Sequence, residues 1–370
     1  MPDHVITDAF LKALDRYFSG EINTREAAKE AGLSGPNRFL GILKEAYRRG
    51  YVSILSPIDP RLCEKFRQWV GLSLKLEAYI LKGRPDHRTF ALKSAEVFLI
   101  YLKRLLKNDK VRELNIGIVS GSTTALLVEA LVTSPLWDEV FTESEVMAIR
   151  DKQIRIMSLN ANPVRGWALQ GDANMWAYRL AVLLHTKLVE GRKEDDNKVE
   201  PWGMTNSFVV MQDPSQTQPE QIPMDRVKLE ITDPNRLRND GSKSKLDMVI
   251  MGIGAPEHSL VTEILRSEQI QVPDKAVGDC AYVPIDKNGQ ELALTKDGNT
   301  YSVYSAIRLP ILRELVEGGK TVMLVARNSR VGIPEPVNKT PVIRAAIRGK
   351  YANVICTDEE AAEQVMEEPI

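Results

Sequence analysis

The sequence has few of the residues that define several common classes of protein. Its 370 residues include only three cysteines, Cys63, Cys280 and Cys356, which are far apart in the chain. An odd number of widely separated cysteines argues against a disulfide framework and favours a reducing compartment. The four histidines are scattered without the spacing of metal ligands, so the sequence predicts no metal site.

Long apolar runs are also missing. No stretch approaches the roughly 20 apolar residues that cross a bilayer. The opening residues, MPDHVITDAF, lack the basic and apolar regions of a secretory signal. We therefore expect a cytoplasmic protein with no membrane partner. Composition is otherwise that of a globular protein, and a chain of this length can hold two or three domains.

The sequence also has no overall excess of positive or negative charge, since the formal net charge is -1. The charge is nevertheless uneven, because residues 61–112 carry 13 Lys/Arg against 5 Asp/Glu. Such a basic region is compatible with contact to a polyanion. An ordinary solvated helix face has the same composition, so both interpretations stay open at this stage.

The first 58 residues have the pattern of a small helical domain. Residues 8–18 place apolar side chains on one helical stripe. Asn23 or Thr24 is suited to cap a short alanine-rich helix, and Gly32 to turn the chain after it. Ser34 is expected to cap a longer helix, which has a proline in its first turn.

A short strand is predicted at residues 51–55, directly after the longer helix. Two helices joined by a tight glycine turn, with a helix before and a strand after, form a winged helix-turn-helix. We therefore predict a DNA-binding domain over residues 1–58. A small helical oligomerisation module would show the same pattern and remains the alternative.

Residues 59–370 alternate apolar runs with amphipathic segments. This alternation predicts an α/β domain of Rossmann-like type, with a parallel sheet and helices on both faces. Residues 190–244 break the pattern, since they are polar and rich in proline, and we expect long surface loops there. The second domain is therefore predicted to contain a loop-rich insertion.

One stretch of the second domain, LNIGIVSGSTTALLVEAL at residues 114–131, reads as strand, polar turn and helix. Gly121 lets the backbone approach a ligand, and Ser122, Thr123 and Thr124 follow at the expected helix start. The unpaired amides of a helix N-terminus attract anions, phosphate above all. A plain helix start without a ligand is the alternative. Ligands bind outside the carboxyl ends of parallel strands, so turns after Val119, Met251 and Val325 are candidates.

Five segments, spread over most of the chain, carry distinctive motifs. In chain order they are LSGPNRFLGILKEAYRRGYVSI, IGIVSGSTTALL, MVIMGIGAP, AVGDCAYVPIDKNGQ and KTPVIRAAIRGKYANVICTDEEAAEQVM. Together these segments resemble the SorC/DeoR-type family of bacterial sugar-sensing transcriptional regulators. The last two are long and specific. The resemblance implies a DNA-binding regulator that forms dimers or tetramers, with an effector domain similar to the NagB/RpiA-type isomerases and deaminases. The implied effector is a phosphorylated sugar or related metabolite, with no further cofactor.

The resemblance also implies roles for residues at matching positions. The phosphate would be bound by Gly121, Ser122, Thr123 and Thr124. Gly252 and Gly254 would line the pocket, Asp279 would accept hydrogen bonds from sugar hydroxyls, and Lys339 would pair with an anionic group. Two of these residues have structural alternatives. Asp279 could cap the turn after Gly278, and Lys339 could be a surface lysine before a helix.

The sequence departs from the family pattern in the expected recognition helix. Gly35 and Gly41 stand where the family has arginines, and arginine and polar side chains are what read base edges. The remaining candidates for DNA contact are Ser34, Asn37, Arg38, Lys44, Arg48 and Arg49. The last three are suited to phosphates.

A second departure is ARNSR at residues 326–330, which replaces a Gly-Gly turn. Arg327 could enter the pocket as an anion ligand or cap the strand end, and the two roles are equally compatible with the sequence. We expect a regulator rather than an enzyme. A sugar-phosphate isomerase or deaminase is one alternative, supported by Asp279 as a possible base and His258 after GIGAPE. A sensor that has lost specific DNA recognition is the other.

Overall fold

A computed structural model describes residues 7–18, 22–49, 58–71, 75–83, 85–149, 152–160, 173–189, 199–203, 209–212, 221–223, 238–239, 243–244, 246–267, 269–304, 307–328 and 337–369. The chain divides into two compact units, residues 1–55 and 56–370. The strand predicted at residues 51–55 lies outside the described residues, so the wing stays a prediction.

The first unit contains three helices, α1 (Asp8–Phe18), α2 (Thr24–Glu30) and α3 (Pro36–Arg49). Asn23 caps α2, and its side chain accepts hydrogen bonds from the amides of Arg25 and Glu26. A small core joins the helices, with the rings of Phe10 and Phe39 5.2 Å apart. The three predicted helices are therefore present in the expected order.

The expected cap of α3 is wrong by one position. The helix begins at Pro36, so Gly35 is the residue before it, and the amides of Arg38 and Phe39 bond to the Gly35 carbonyl. Ser34 lies one residue further upstream and is exposed. Proline suits the first helical position because its missing N–H has no helical acceptor there, and this places the helix start at Pro36.

The second unit is built on a seven-stranded sheet in the order β1-β16-β15-β9-β2-β3-β4, and every neighbouring pair is parallel. These strands are β1 (Glu77–Leu81), β2 (Glu113–Ile118), β3 (Gln153–Ser158), β4 (Val199–Gly203), β9 (Met248–Met251), β15 (Thr321–Val325) and β16 (Val354–Asp358). The residues of β9, β15 and β16 are all buried. Continuous burial is typical of a parallel sheet covered on both faces.

Helices connect and flank these strands. They are α4 (Pro60–Val70), α5 (His87–Leu106), α6 (Ser122–Thr133), α7 (Leu136–Val140), α8 (Glu143–Ile149), α9 (Ala173–Val189), α10 (Leu260–Ser267), α11 (Leu309–Glu317), α12 (Thr340–Arg348) and α13 (Glu359–Met366). Helices α5, α6 and α9 pack on one another, whereas α4, α11, α12 and α13 share one apolar core. The prediction of an α/β unit with a parallel sheet is confirmed.

The remaining strands form small antiparallel sheets. They are β5 (Val209–Gln212), β6 (Gln221–Pro223), β7 (Arg238–Asn239), β8 (Lys243–Ser244), β10 (Ile253–Gly254), β11 (Gly278–Cys280), β12 (Val283–Ile285), β13 (Leu294–Lys296) and β14 (Asn299–Tyr304). Strands β13, β14, β5 and β6 make one sheet, and β10, β11 and β12 another. The β13–β14 hairpin turns at Asp297-Gly298, both with positive φ, a turn signal that the sequence contained and the prediction omitted.

The expectation of long surface loops in residues 190–244 is therefore wrong in part. Val199–Gly203 is the edge strand β4, which pairs with β3, and four further short strands lie in this region. An edge strand needs hydrogen bonds on one side only, so it tolerates Pro201 and polar neighbours. Local composition predicted a loop because it does not reveal the partner strand.

Several basic residues of the segment at residues 61–112 pair within the protein. Lys103 and Lys107 both contact Glu145 of α8 at 2.6 Å. Arg104 bonds to Glu77 of β1 at 3.3 Å. Glu145 lies outside the segment, so it offsets part of the local excess of positive charge.

Candidate functional site

The candidate site lies at the point in the sheet where the strand order changes direction. From β2 the chain proceeds to β3 and β4 on one side, whereas from β9 it proceeds to β15 and β16 on the other. Strands β2 and β9 are neighbours, so a crevice opens between their carboxyl ends. The turns after Val119, Met251 and Val325 meet at this edge, as the sequence predicted.

The β2–α6 turn has the geometry of an anion cradle. Helix α6 begins at Ser122, and its first hydrogen bond runs from the Ala125 amide to the Gly121 carbonyl, 2.9 Å. No side chain caps this N-terminus. The amides of Ser122, Thr123 and Thr124 come before Ala125 and have no acceptor within the helix, so they point out of its N-terminal end. Such amides, with the helix dipole behind them, bind anions.

Thr124 adds a buried hydroxyl to this turn. The residue is fully buried, and its Oγ1 has no hydrogen-bond partner in the described structure. A Cβ built on Gly252 would lie 3.7 Å from this oxygen and 3.9 Å from the Val325 carbonyl. The ends of β2, β9 and β15 therefore lie side by side at Thr124. A buried hydroxyl without a partner is costly, and this cost marks the turn as a place suited to a polar ligand.

Asp279 lies in a second group of the predicted residues. Its carboxylate accepts a hydrogen bond from the Ser259 hydroxyl at 2.5 Å and is buried. Gly254 pairs with Asp279 in the β10–β11 ladder, and a Cβ at Gly254 would lie 2.0 Å from Asp279 Oδ2. Glycine is thus required at this position so that the carboxylate can lie against the strand.

Lys339 is the residue just before α12. It is only 4% exposed, which excludes the alternative of an exposed surface lysine. Its backbone amide donates to Asn328 Oδ1 at 2.9 Å, and Asn328 Nδ2 donates to Gln364 Oε1 at 2.7 Å. Asn328 therefore holds the segment after β15 against the start of α12.

Arg327 follows β15 and contacts residues near the ends of β1 and β16. Its NH1 donates to the Pro85 carbonyl at 2.5 Å, its Nε lies 3.8 Å from Asp358, and its guanidinium lies over the Phe90 ring. These contacts join the ends of β1, β15 and β16. Of the two roles left open by the sequence, they favour the structural one.

His87 and Arg327 lie in a buried environment. His87, at the start of α5, has its pKa lowered by burial and then by the positive charges of Arg327 and Lys339, while Asp86 opposes the shift. Burial also lowers the pKa of the Arg327 guanidinium, against the opposing charges of Asp358, Asp86 and Glu360. Both shifts therefore arise first from burial, which disfavours the charged form of each group.

Three functional candidates were missing from the sequence interpretation. Asn160, at the end of β3, accepts a hydrogen bond from the Ser120 amide at 2.5 Å. Ser259 holds Asp279, and Asn328 positions the segment before Lys339. Each follows or lies near a strand end, but a polar residue at such a position is ordinary in sequence, so only the contacts reveal it.

The candidate DNA-contact residues lie on or before α3. Ser34, Asn37 and Arg38 are exposed, whereas Phe39 and Ile42 are buried on the core side. Lys44, Arg48 and Arg49 belong to α3, but their side chains fall outside the described part. By helical spacing, positions 37, 41, 44 and 48 follow one stripe opposite the buried residues. A Cβ at Gly41 would meet nothing within 4 Å.

Two further findings concern the described residues. None of their helices is long and apolar enough to cross a membrane. No group of three or more histidine, cysteine, aspartate or glutamate residues among them could hold a metal ion.

No family model and no curated protein matches the chain. Solved structures do. The full-length sorbitol operon regulator SorC from Klebsiella pneumoniae is 16% identical, with a TM-score of 0.47, and the match covers 97% of this chain and 98% of that one. A DeoR family transcriptional regulator from Listeria monocytogenes is 18% identical, with a TM-score of 0.43 over 82% and 98% of the two chains.

A transcriptional regulator from Streptococcus pneumoniae is 15% identical, with a TM-score of 0.48 over 83% of this chain and 96% of that one. At such identities the chain's own residues have to support any functional assignment.

Proposed function

We propose that the protein is a DNA-binding transcriptional regulator controlled by a phosphorylated sugar or related metabolite. The observation that carries the proposal is the uncapped helix start at Gly121–Thr124, which we call the anion cradle. The same chain contains a three-helix unit whose helix α3 exposes Asn37 and Arg38. Sequence motifs that resemble the SorC/DeoR-type regulators support both halves.

The cradle suits a phosphate monoester for three reasons. The N-terminus of α6 supplies amides without a capping side chain. Thr124 supplies a buried hydroxyl without a partner. Lys339 is buried just before α12, and the resemblance to the regulator family assigns it to the anionic group of the ligand. Amides and an ammonium together are the groups that bind a dianion, whereas Asp279 would bind neutral hydroxyls of the same molecule.

The effector half is tested by thermal unfolding of the full chain with a panel of hexose and pentose phosphates. A ligand at about 100 times its Kd stabilises the folded state by about 2.7 kcal/mol, which raises the Tm measurably. Thr123→Val and Lys339→Ala should abolish the shift, and Lys275→Ala, the loss of an exposed lysine, should not. Equal shifts in all four proteins would rule out the proposed anion site.

The DNA half is tested by gel shift on the region upstream of the protein's own gene, with titration of salt. Asn37→Ala and Arg38→Ala should each weaken specific binding by about 1–3 kcal/mol, because a side chain that reads a base edge contributes that much. Affinity that falls with salt but shows no sequence preference would indicate a nonspecific binder. No binding at all would favour the sensor without DNA recognition.

The scheme for control is a two-state equilibrium. Effector binding favours one arrangement of an oligomer, dimer or tetramer, and that arrangement changes the spacing of its DNA-binding units. A 10- to 100-fold difference in effector affinity between the arrangements corresponds to roughly 1–3 kcal/mol of coupling. The measurement is DNA affinity with and without the stabilising sugar phosphate.

A further inference from the structure

Asn160 holds the anion cradle from the neighbouring strand. Strands β2 and β3 pair in register from Glu113 to Ile118, so the residues that follow them are also side by side. The Ser120 amide donates to Asn160 Oδ1 at 2.5 Å. Within a side-chain amide, only the oxygen accepts from an N–H. This bond therefore sets which end of the Asn160 amide faces the turn.

The other end of that amide has no partner. Asn160 is fully buried, and its Nδ2 makes no hydrogen bond in the described structure. A buried amide N–H without an acceptor is rare in folded proteins because it forfeits its hydrogen bonds to water. Thr124 Oγ1, in the same turn, is a second buried polar atom without a partner. Asn160 contacts the turn at Ser120, and Thr124 belongs to the first turn of α6.

An asparagine at the opposite edge of the sheet shows how such an amide is normally satisfied. Asn353 precedes β16, and its Oδ1 accepts from the Val322 amide at 2.8 Å. Its Nδ2 donates to the Lys320 carbonyl at 2.7 Å, so both ends are used. Like Asn353, Asn160 accepts a backbone N–H through Oδ1, but unlike Asn353 its Nδ2 donates to no acceptor among the described residues. The difference is the one expected if a ligand supplies the second acceptor.

We propose that Asn160 is a ligand-binding residue of the cradle, which donates through Nδ2 to an anionic oxygen of the phosphate monoester. This inference rests on the proposed function. The bound oxygen would take one hydrogen bond from the α6 side of the turn and one from the β3 side. A ligand that accepts from Nδ2 displaces no existing bond of the amide. Asn160 thereby selects for an acceptor oxygen at this point of the ligand.

The discriminating variant is Asn160→Asp in the full-length protein. Aspartate keeps the oxygen that accepts from Ser120, but it replaces the donor by a second acceptor and adds a negative charge. Asn353→Asp is the matched control, because it makes the same chemical change in a similarly bonded asparagine far from the cradle. Asn160→Ser removes the Nδ2 donor and leaves a shorter side chain, without adding charge, and it serves if the aspartate variant does not fold.

The measurement is calorimetric titration with inorganic phosphate and with the hexose and pentose monophosphates, after ligand-free unfolding curves have established that each variant is folded. We expect Asn160→Asp to weaken binding at least 100-fold and Asn160→Ser at least 10-fold, with Asn353→Asp unchanged. Wild-type affinity in both Asn160 variants would overturn the role of Asn160 and leave the cradle in place. Equal losses in Asn160→Asp and Asn353→Asp would also overturn it. Failure of the wild-type protein to bind every probe would overturn the cradle and Asn160 together.

Discussion

The two edges of the parallel sheet use polar residues in opposite ways. At the amino edge, Asp247 accepts from the Asn115 amide at 3.0 Å and from Lys320 at 2.5 Å, and Asn353 uses both ends of its amide. At the carboxyl edge, buried polar atoms of Thr124, Asn160 and Thr357 have no partner among the described residues.

This contrast separates stability from binding within one sheet. The paired groups of Asp247 and Asn353 at the amino edge stabilise the strand ends, because their buried polar atoms have partners. Unpaired groups at the carboxyl edge cost stability in the ligand-free protein. Natural proteins keep such costs mainly at functional sites, and ligands of open α/β sheets bind at this edge. Three predictions test the contrast.

The largest effect is expected at the amino edge. Asp247→Ala should lower the free energy of unfolding by about 2–4 kcal/mol, since it leaves a buried amide without an acceptor and an ammonium without its partner. Asp247→Asn keeps an acceptor and should lose less. Urea unfolding measures both variants. A loss within about 0.5 kcal/mol, the usual range for surface substitutions, would show that the paired groups of Asp247 do not stabilise the fold more than a surface residue does.

An effect of opposite sign is expected at the carboxyl edge. Thr124→Val replaces an unpaired buried hydroxyl by a methyl group of similar shape, so ligand-free stability should stay equal or rise by about 1 kcal/mol. The thermal shift with the sugar phosphate should fall in the same variant. Thr133→Val, on the exposed end of the same helix, should change neither quantity. A marked loss of ligand-free stability in Thr124→Val would contradict the contrast.

The smallest effect is a dependence on pH. Burial and the charges of Arg327 and Lys339 lower the pKa of His87 in the folded protein. Below the ordinary histidine pKa of about 6.5, the unfolded chain binds a proton that folded His87 does not, so stability falls as pH falls towards the folded pKa. Above that pH both forms are neutral and His87 has no effect.

The comparison for this prediction is wild-type protein against His87→Gln, by urea unfolding at pH 7.5 and pH 5.5. His87→Gln should lose less stability on acidification than wild type. Equal losses would show that burial and the neighbouring charges do not keep His87 neutral in the folded protein.

Much of the fold was predictable because its signals are local. Strands β2, β9, β15 and β16 are short apolar runs, and buried parallel strands have no other common sequence form. The starts of helices α2 and α13 are indicated by their capping residues, Asn23 and Asp358. The main errors, strand β4 and the cap of α3, arose where a partner or a backbone geometry outside the local window decided the outcome.

The site was predictable only in part, for a related reason. The turn at Gly121–Thr124 follows an apolar strand and precedes a helix, so its chemistry can be inferred from the sequence order. Asn160 lies about forty positions later, and nothing around it indicates that its oxygen accepts from Ser120. Ser259 and Asp279 are likewise separated by 20 residues before the β10–β11 ladder brings them together.

The sequence by itself determined the alternation of strands and helices, the helical unit at the start of the chain and the polar turn between β2 and α6, because each depends on neighbouring residues. Tertiary structure alone decided that β2 and β9 are adjacent, so that the turn lies beside the end of β9. It also decided which buried polar atoms of the described residues are paired and which have no partner, since hydrogen bonds between strands depend on register and not on distance along the chain.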